Sequence, residues 1–258
     1  MSSAKKLFRI NELNVRVYNS DTELAKDAAQ VVQKTLDSTL KVRETARVIF
    51  ATGNSQLKFL NALTSLNNID WSRITCFHLD EYLGINAEHS SSFRCYLREK
   101  LEKKVKPQKF HYIEGDTLEP LKECDRYTQL LHSQPIDLCL LGVGANGHLA
   151  FNEPSVADFQ DSYMVKLVKL DTVNHQQQVT QGHFPNLESV PKYAFTLTIP
   201  TICSAKKILC LAPGQHKAEV VKQMLFGEIT KKFPASILRQ KPQATLFLDG
   251  DSATSLDM

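Results

Sequence analysis

The sequence predicts an α/β fold, a single three-layer α/β/α domain over residues 1–258 built on a mainly parallel, Rossmann-like sheet. Three observations predict it. Strand-like and helix-like segments alternate along almost the whole chain, which places helices on both faces of a parallel sheet. Apolar runs such as Arg47-Val-Ile-Phe-Ala51 and Ile136-Asp-Leu-Cys-Leu-Leu141 are short and bounded, as buried strands are. A chain of 258 residues with 42% hydrophobic content can bury one sizeable core.

The elements follow in order. Residues 14–18 read as a strand, and Ser20-Asp-Thr-Glu23 has capping-box spacing. The helix it opens turns Leu24, Ala28, Val31, Val32 and Leu36 inward. Residues 47–51 form a strand, 56–66 a helix, 73–79 a strand and 92–105 a helix. Further strands are expected at 110–113, 136–143, 164–170, 193–199, 207–212 and 244–248, with helices at 118–133 and 216–226. Gly227 stops the last helix. The chain has no internal repeat, low-complexity tract or linker.

Thirty-one basic residues nearly balance twenty-eight acidic ones, for a formal charge of +3. No strong field points to nucleic acid, and the basic cluster at 98–109 reads as the solvated face of a helix. Six cysteines lack C-x-x-C pairing, which suits a reducing compartment. Nothing after Met1-Ser-Ser-Ala-Lys-Lys reads as a secretory leader, and no run spans a bilayer. The expectation is a cytoplasmic protein without membrane or nucleic-acid partners, whose state of assembly, homo-oligomer included, stays open.

Three of ten glycines fall in Gly142-Val-Gly144-Ala-Asn-Gly147, between the apolar run 136–141 and His148-Leu-Ala-Phe-Asn-Glu153-Pro154. The string matches the dinucleotide fingerprint, with Asp171 about twenty residues on. That fingerprint must open a helix, yet Pro154 follows seven residues after Gly147 without helical periodicity. An active-site loop is the better reading. Asn146 and His148, two apart, aim at one side of an extended loop, and Glu153 precedes a proline that fixes its direction. A carboxylate on an imidazole sets tautomer and basicity. A loop histidine bonded to a backbone carbonyl fits the same residues. No metal-ligand spacing is present, so neither metal nor cofactor is expected.

Three other strand ends carry candidates. Thr52-Gly53-Asn54-Ser55 enters a helix, where free N–H groups can seat a phosphate; it also reads as an ordinary turn with Ser55 as N-cap. Asp80 and Glu81 end a strand expected to be central and face opposite ways. Asp80 is taken as the catalytic carboxylate and Glu81 as its orienting or structural partner, although strand-end acids can be merely solvated. Lys217 lies in the first turn of a helix, where a cation conflicts with the dipole unless an anion lies there; a solvated lysine is the alternative. In a parallel sheet these ends share one rim.

Phe77-His-Leu-Asp80-Glu81-Tyr82-Leu-Gly84, Gly142–Pro154 and Val190-Pro-Lys-Tyr-Ala-Phe-Thr196-Leu-Thr198-Ile199 resemble the glucosamine-6-phosphate deaminases, over about residues 15–249. The resemblance implies conversion of glucosamine 6-phosphate and water to fructose 6-phosphate and ammonia, without a cofactor. It assigns Asp80 the proton transfer between C2 and C1, His148 with Glu153 the ring opening, and Asn146 a ring-opening position that is Asp or Asn in the family. Lys217 and the 53–55 turn match phosphate-holding positions. Typical members carry a lid arginine; here Asp171-Thr-Val-Asn-His175-Gln-Gln-Gln178 has none, so His175 or a glutamine such as Gln178 stands in its place. The basic activator pattern after Pro154 is also missing. The glutamine-run lid resembles a branch that includes galactosamine-6-phosphate isomerase-like proteins, so the configuration at C4 is open. A 6-phosphogluconolactonase, whose loop usually continues T-A-S-L-F-P, and a non-catalytic sugar-phosphate sensor are the competing readings.

Overall fold

The first helix begins where Ser20 offers its hydroxyl. In the computed structural model of the chain, which describes residues 4–256 except 181 and 183, that oxygen accepts the Glu23 N–H at 3.2 Å. Helix α1 then runs Asp21–Val42, burying Leu24, Ala28, Val32 and Leu36 with Ala25 and Ala29 between them. The stripe is two residues wide, as a sheet-facing helix requires. The remaining helices are α2 (Leu57–Thr64), α3 (Phe93–Leu97), α4 (Lys103–Val105), α5 (Pro120–His132), α6 (Thr172–Thr180), α7 (Ile199–Cys203) and α8 (Ala218–Phe226).

The strands are β1 (Lys6–Ile10), β2 (Leu13–Val17), β3 (Ala46–Phe50), β4 (Ile74–His78), β5 (Asp80–Tyr82), β6 (Lys109–Phe110), β7 (Leu138–Leu141), β8 (Val165–Lys169), β9 (Tyr193–Leu197), β10 (Ile208–Leu211) and β11 (Ala244–Leu248). Eight of them form the main sheet in the order β1-β2-β11-β10-β7-β3-β4-β6. Its pairs are parallel apart from the β1–β2 hairpin. Alternate residues feed two cores. Val48, Phe50, Leu138 and Leu140 face α1 and α2, whereas Ile49, Cys139 and Leu141 face Tyr127 and Leu131 of α5 and Val221 and Met224 of α8. Helices therefore cover both faces of the sheet. All six cysteines are free, and five are buried. Among the described residues no helix is long and apolar enough to cross a membrane.

The structure departs from expectation in several elements. The strands expected at 164–170 and 193–199 do not join the main sheet. They pair antiparallel with each other and with β5, giving a second sheet ordered β5-β9-β8. Alternation along β9 explains its seat: Phe195 and Leu197 enter the main core, while Ala194 joins Tyr82, Phe151 and Val168 in a separate apolar cluster. The strand before Asp80 is not central, since β4 lies second from an edge closed only by the two-residue β6. The 92–105 helix is broken into α3 and α4 by a π-helical stretch at Arg98–Glu102. β1, α6 and α7 were not expected.

Candidate active site

Four adjacent parallel strands, β10-β7-β3-β4, end on one rim. They lead in turn to Gly214–Lys217, Gly142–His148, Thr52–Ser55 and Asp80. At about 4.8 Å between neighbours, β10 and β4 stand roughly 14 Å apart, so the four strand ends bound one shallow row.

The segment Gly142-Val143-Gly144 is where three of the candidates meet. A Cβ on Gly142 would lie 3.2 Å from Ser55 Oγ, so the β3 turn rests directly on it. Gln56 Nε2 fastens this contact by donating to Leu141 O at 3.2 Å and to Ser55 Oγ at 3.1 Å. Gly53, at φ 96°, is the N-cap, so Ser55 is not the capping residue and sits inside the first turn. Lys217 Nζ donates to Val143 O at 2.7 Å. Among the described residues it has no carboxylate partner, and burial lowers its pKa. Asp249 fixes the turn before it, accepting the Gly214 N–H at 3.0 Å. An unpaired half-buried ammonium beside a glycine turn suits an anion.

On Gly144 lies the His148 ring: a Cβ there would come within 2.0–2.3 Å of the imidazole. His148 Nδ1 is 2.8 Å from Glu153 Oε1 and 2.8 Å from Asn146 Oδ1. Asn146 Nδ2 donates to the other Glu153 oxygen, which turns the amide oxygen toward the ring. Both neighbours of Nδ1 are acceptors, so Nδ1 carries the proton and Nε2 holds a free lone pair. The His148 side chain is 17% exposed and that of Glu153 only 3%. The result is a basic nitrogen at the surface of the row, backed by a buried carboxylate. No helix follows Gly147, so the turn lacks the N-terminus a dinucleotide pyrophosphate would need.

Asp80 begins β5, two residues past the end of β4, with 8% of its surface exposed. Burial, then the charge of Glu81, pushes its carboxyl well above the ordinary carboxylate range. Glu81 points away. Its oxygens accept the N–H groups of Tyr82, Phe93 and Arg94 at 2.9–3.1 Å and the Ser92 hydroxyl at 2.8 Å. It thus satisfies the free N-terminal donors of α3, a structural place for the residue expected to support Asp80. Burial, then the Arg94 charge, lowers the His78 pKa to about 3, and its Nε2 accepts the Ile113 N–H at 2.8 Å. That ring is a neutral brace.

Thr196 ties the Asp80 and His148 sides together. It stands opposite Asp80 in the β5–β9 register, and its Oγ1 accepts the Phe151 N–H at 3.1 Å and Asn152 Nδ2 at 3.3 Å. Asn152, wholly buried, also donates to Leu149 O and Leu197 O, each at 2.8 Å. Phe233 packs against Gly147 from the far side, and Ala235 N donates to Gly147 O at 2.7 Å. Sequence reasoning assigned none of Gln56, Asn152, Thr196 or Phe233 a place. The one available signal was Asn152, a polar residue directly after the apolar run Leu149-Ala-Phe151 in the loop.

The other expected residues are less closely drawn in. Thr52 is half-buried and Asn54 exposed, and neither has a side-chain hydrogen bond among the described residues. His175 and Gln178 lie on α6. His175 Nε2 is enclosed without a partner, and no described contact joins either side chain to His148 or Asp80.

Residues 19–247 match the family of glucosamine-6-phosphate isomerases/6-phosphogluconolactonase. The chain is 32% identical over 252 residues to the glucosamine-6-phosphate deaminase of Lactobacillus delbrueckii subsp. bulgaricus, covering 95% of this chain and 100% of that one. It is 34% identical over 237 residues to glucosamine-6-phosphate deaminase 1 of Bacillus subtilis, covering 89% and 95%. The solved structure of a monomeric glucosamine-6-phosphate deaminase superposes with TM-score 0.85 at 31% identity, over 93% of this chain and 99% of that one. A 6-phosphogluconolactonase from Shewanella baltica shares the fold, with TM-score 0.77 at 20% identity over 94% and 100%. With the match running from residue 19 to 247 and so taking in all four strand ends of the row, the chain belongs to the glucosamine-6-phosphate isomerase/6-phosphogluconolactonase family.

Proposed function

We propose that the chain is an amino-sugar-phosphate deaminase/isomerase, converting glucosamine 6-phosphate or its galacto epimer and water to the ketohexose 6-phosphate and ammonia. The observation that carries this reading is the His148 ring held by Glu153 at 2.8 Å, with the Lys217 cation and the buried Asp80 carboxyl at strand ends on either side. Lys217 and the Gly53–Ser55 turn hold the phosphate. His148 Nε2 takes the proton of the anomeric hydroxyl and returns one to the ring oxygen, which opens the sugar. Asp80 then removes the C2 proton and delivers it to C1, while the C2 ammonium loses one proton and the C1 oxygen gains one, leaving a hydroxymethyl group beside a C2 imine. Its raised pKa makes it a competent donor on return. The substrate's C2 ammonium supplies the positive charge that the buried carboxylate lacks and so favours the ionised, basic form. Water adds to the resulting C2 imine, and ammonia leaves. Substrate nitrogen delocalises the charge, so these steps call on no cofactor.

The second reading, lactone hydrolysis, draws on the shared fold. It gives no task to the Glu153 carboxylate, a position where the lactonase loop pattern has none. Ammonia release from glucosamine 6-phosphate and galactosamine 6-phosphate, measured beside hydrolysis of 6-phosphogluconolactone, separates the readings. The proposal expects ammonia from at least one amino sugar and negligible lactone turnover. Lactone hydrolysis without ammonia, or sugar-phosphate binding without any turnover, overturns it.

A further inference from the structure

Along the flank of α1, from Asp27 down to the amino ends of β7 and β10, lies a cavity of about 590 Å³. Five cations line it: Arg16, Lys34, Arg43, Lys206 and Lys207. Two carboxylates, Asp27 and Asp137, face them. The cavity therefore holds a net charge of +3, the formal charge of the whole chain, and the remaining charges of the molecule cancel.

The two carboxylates are already engaged. Asp137 accepts Arg43 Nη1 at 2.5 Å, Lys206 Nζ at 2.9 Å and the Arg47 N–H at 3.0 Å. Asp27 accepts Arg16 Nη1 at 2.9 Å and the Tyr18 hydroxyl. Among the described residues, Lys34 and Lys207 have no ion pair. Burial, then the charge of Arg16, lowers the Lys207 pKa, the mark of a cation lacking its counter-ion. The negative end of the α1 dipole attracts cations and accounts for Arg43, which follows the helix directly. It does not account for Arg16 in β2 or Lys207 at the start of β10. Small donors complete the wall: the Ser38 hydroxyl has no described partner, beside Thr35 and Thr39, whose hydroxyls bond back to their own helix.

We infer that this cavity binds a small organic phosphate at a site separate from the catalytic rim. The separation follows from the strands. Asp137 precedes β7 and Gly142 follows it, so the two ends are roughly 17 Å apart at about 3.3 Å per residue. The volume far exceeds a bare phosphate ion and leaves room for the organic body against Val31 and Val42.

Titration calorimetry of the full chain with inorganic phosphate and with glucose 6-phosphate tests the site. Each probe is titrated into wild type, Lys207→Ala, Lys34→Ala and, to mark the catalytic seat, Lys217→Ala. The inference expects a binding event that survives Lys217→Ala and weakens about tenfold or more in Lys207→Ala. It expects the same event to weaken in Lys34→Ala, to fade with added salt and to be tighter for glucose 6-phosphate than for inorganic phosphate. Steady-state turnover of Lys207→Ala and Lys34→Ala should match wild type, since neither residue touches the rim. Anion binding indifferent to both Lys207→Ala and Lys34→Ala overturns the inference. Equal or tighter binding of inorganic phosphate would assign the site to the free ion and overturn the organic-phosphate claim. Neither outcome depends on the deaminase proposal, because loss of the catalytic seat is read separately in Lys217→Ala.

Discussion

Among single residues, Asp80 carries the most distinctive physics. Its carboxyl is held above the ordinary value of 3.8 by burial and by Glu81, so the folded state binds its proton more tightly than the unfolded chain. The stability this contributes is complete below pH 3.8 and is lost as pH rises through the raised folded value. Asp80→Asn should flatten that part of the stability curve, read as Tm against pH, and abolish turnover while leaving a substrate analogue bound. In wild type, kcat/KM should rise with pH along the same limb; an acid limb at an ordinary carboxylate pKa would reject Asp80 as the base. Glu153→Gln places an amide, able to donate, against His148 Nδ1. The proton then shifts to Nε2, and kcat should fall by roughly 10²–10⁴; wild-type kcat would deny the imidazole its role. Lys217→Ala should lose one charge-assisted contact, about 1.5–3 kcal/mol or roughly ten- to hundredfold in kcat/KM. Kinetics unchanged in that variant would put the phosphate elsewhere.

Among the elements, the decisive one is the short β5, which leaves the main sheet at once and pairs with β9. That turn sets Asp80 opposite Thr196, whose hydroxyl holds the histidine loop. Thr196→Val leaves the buried Phe151 N–H without an acceptor and should cost about 1–3 kcal/mol in denaturant unfolding. Its kcat should drop more than its KM rises, because Lys217 is untouched; a stable variant with normal kcat would show that the brace is dispensable. Much of the site was legible without coordinates. The Gly142–Glu153 loop announced itself by a buried run meeting glycines, an imidazole and a carboxylate. The second sheet did not. Val165–Lys169 and Tyr193–Leu197 alternate as any strand does, and periodicity does not name a partner. Thr196 and Asn152 act through register and burial, which only the folded path creates. Helix α6 lacks an apolar period in Thr172–Thr180, so its helicity was hidden as well.

Across the whole molecule, the sheet acts as a frame with two chemically different ends. At the carboxyl ends of β10, β7, β3 and β4, the Lys217 cation, a glycine turn, a carboxylate-backed imidazole and a buried acid stand in a row. Along the flank of α1 and down to the amino ends of β7 and β10, the surplus positive charge gathers. The order of the four central strands fixes the row, and the family match over residues 19–247 spans it. A crystal structure with 2-amino-2-deoxyglucitol 6-phosphate bound tests this arrangement most directly. The account predicts the phosphate on Lys217 Nζ and the Gly53–Ser55 turn, C2 beside the Asp80 carboxylate, and the C1 end within reach of His148 Nε2. A hexitol whose phosphate avoids Lys217, or whose C2 lies away from Asp80, would contradict it.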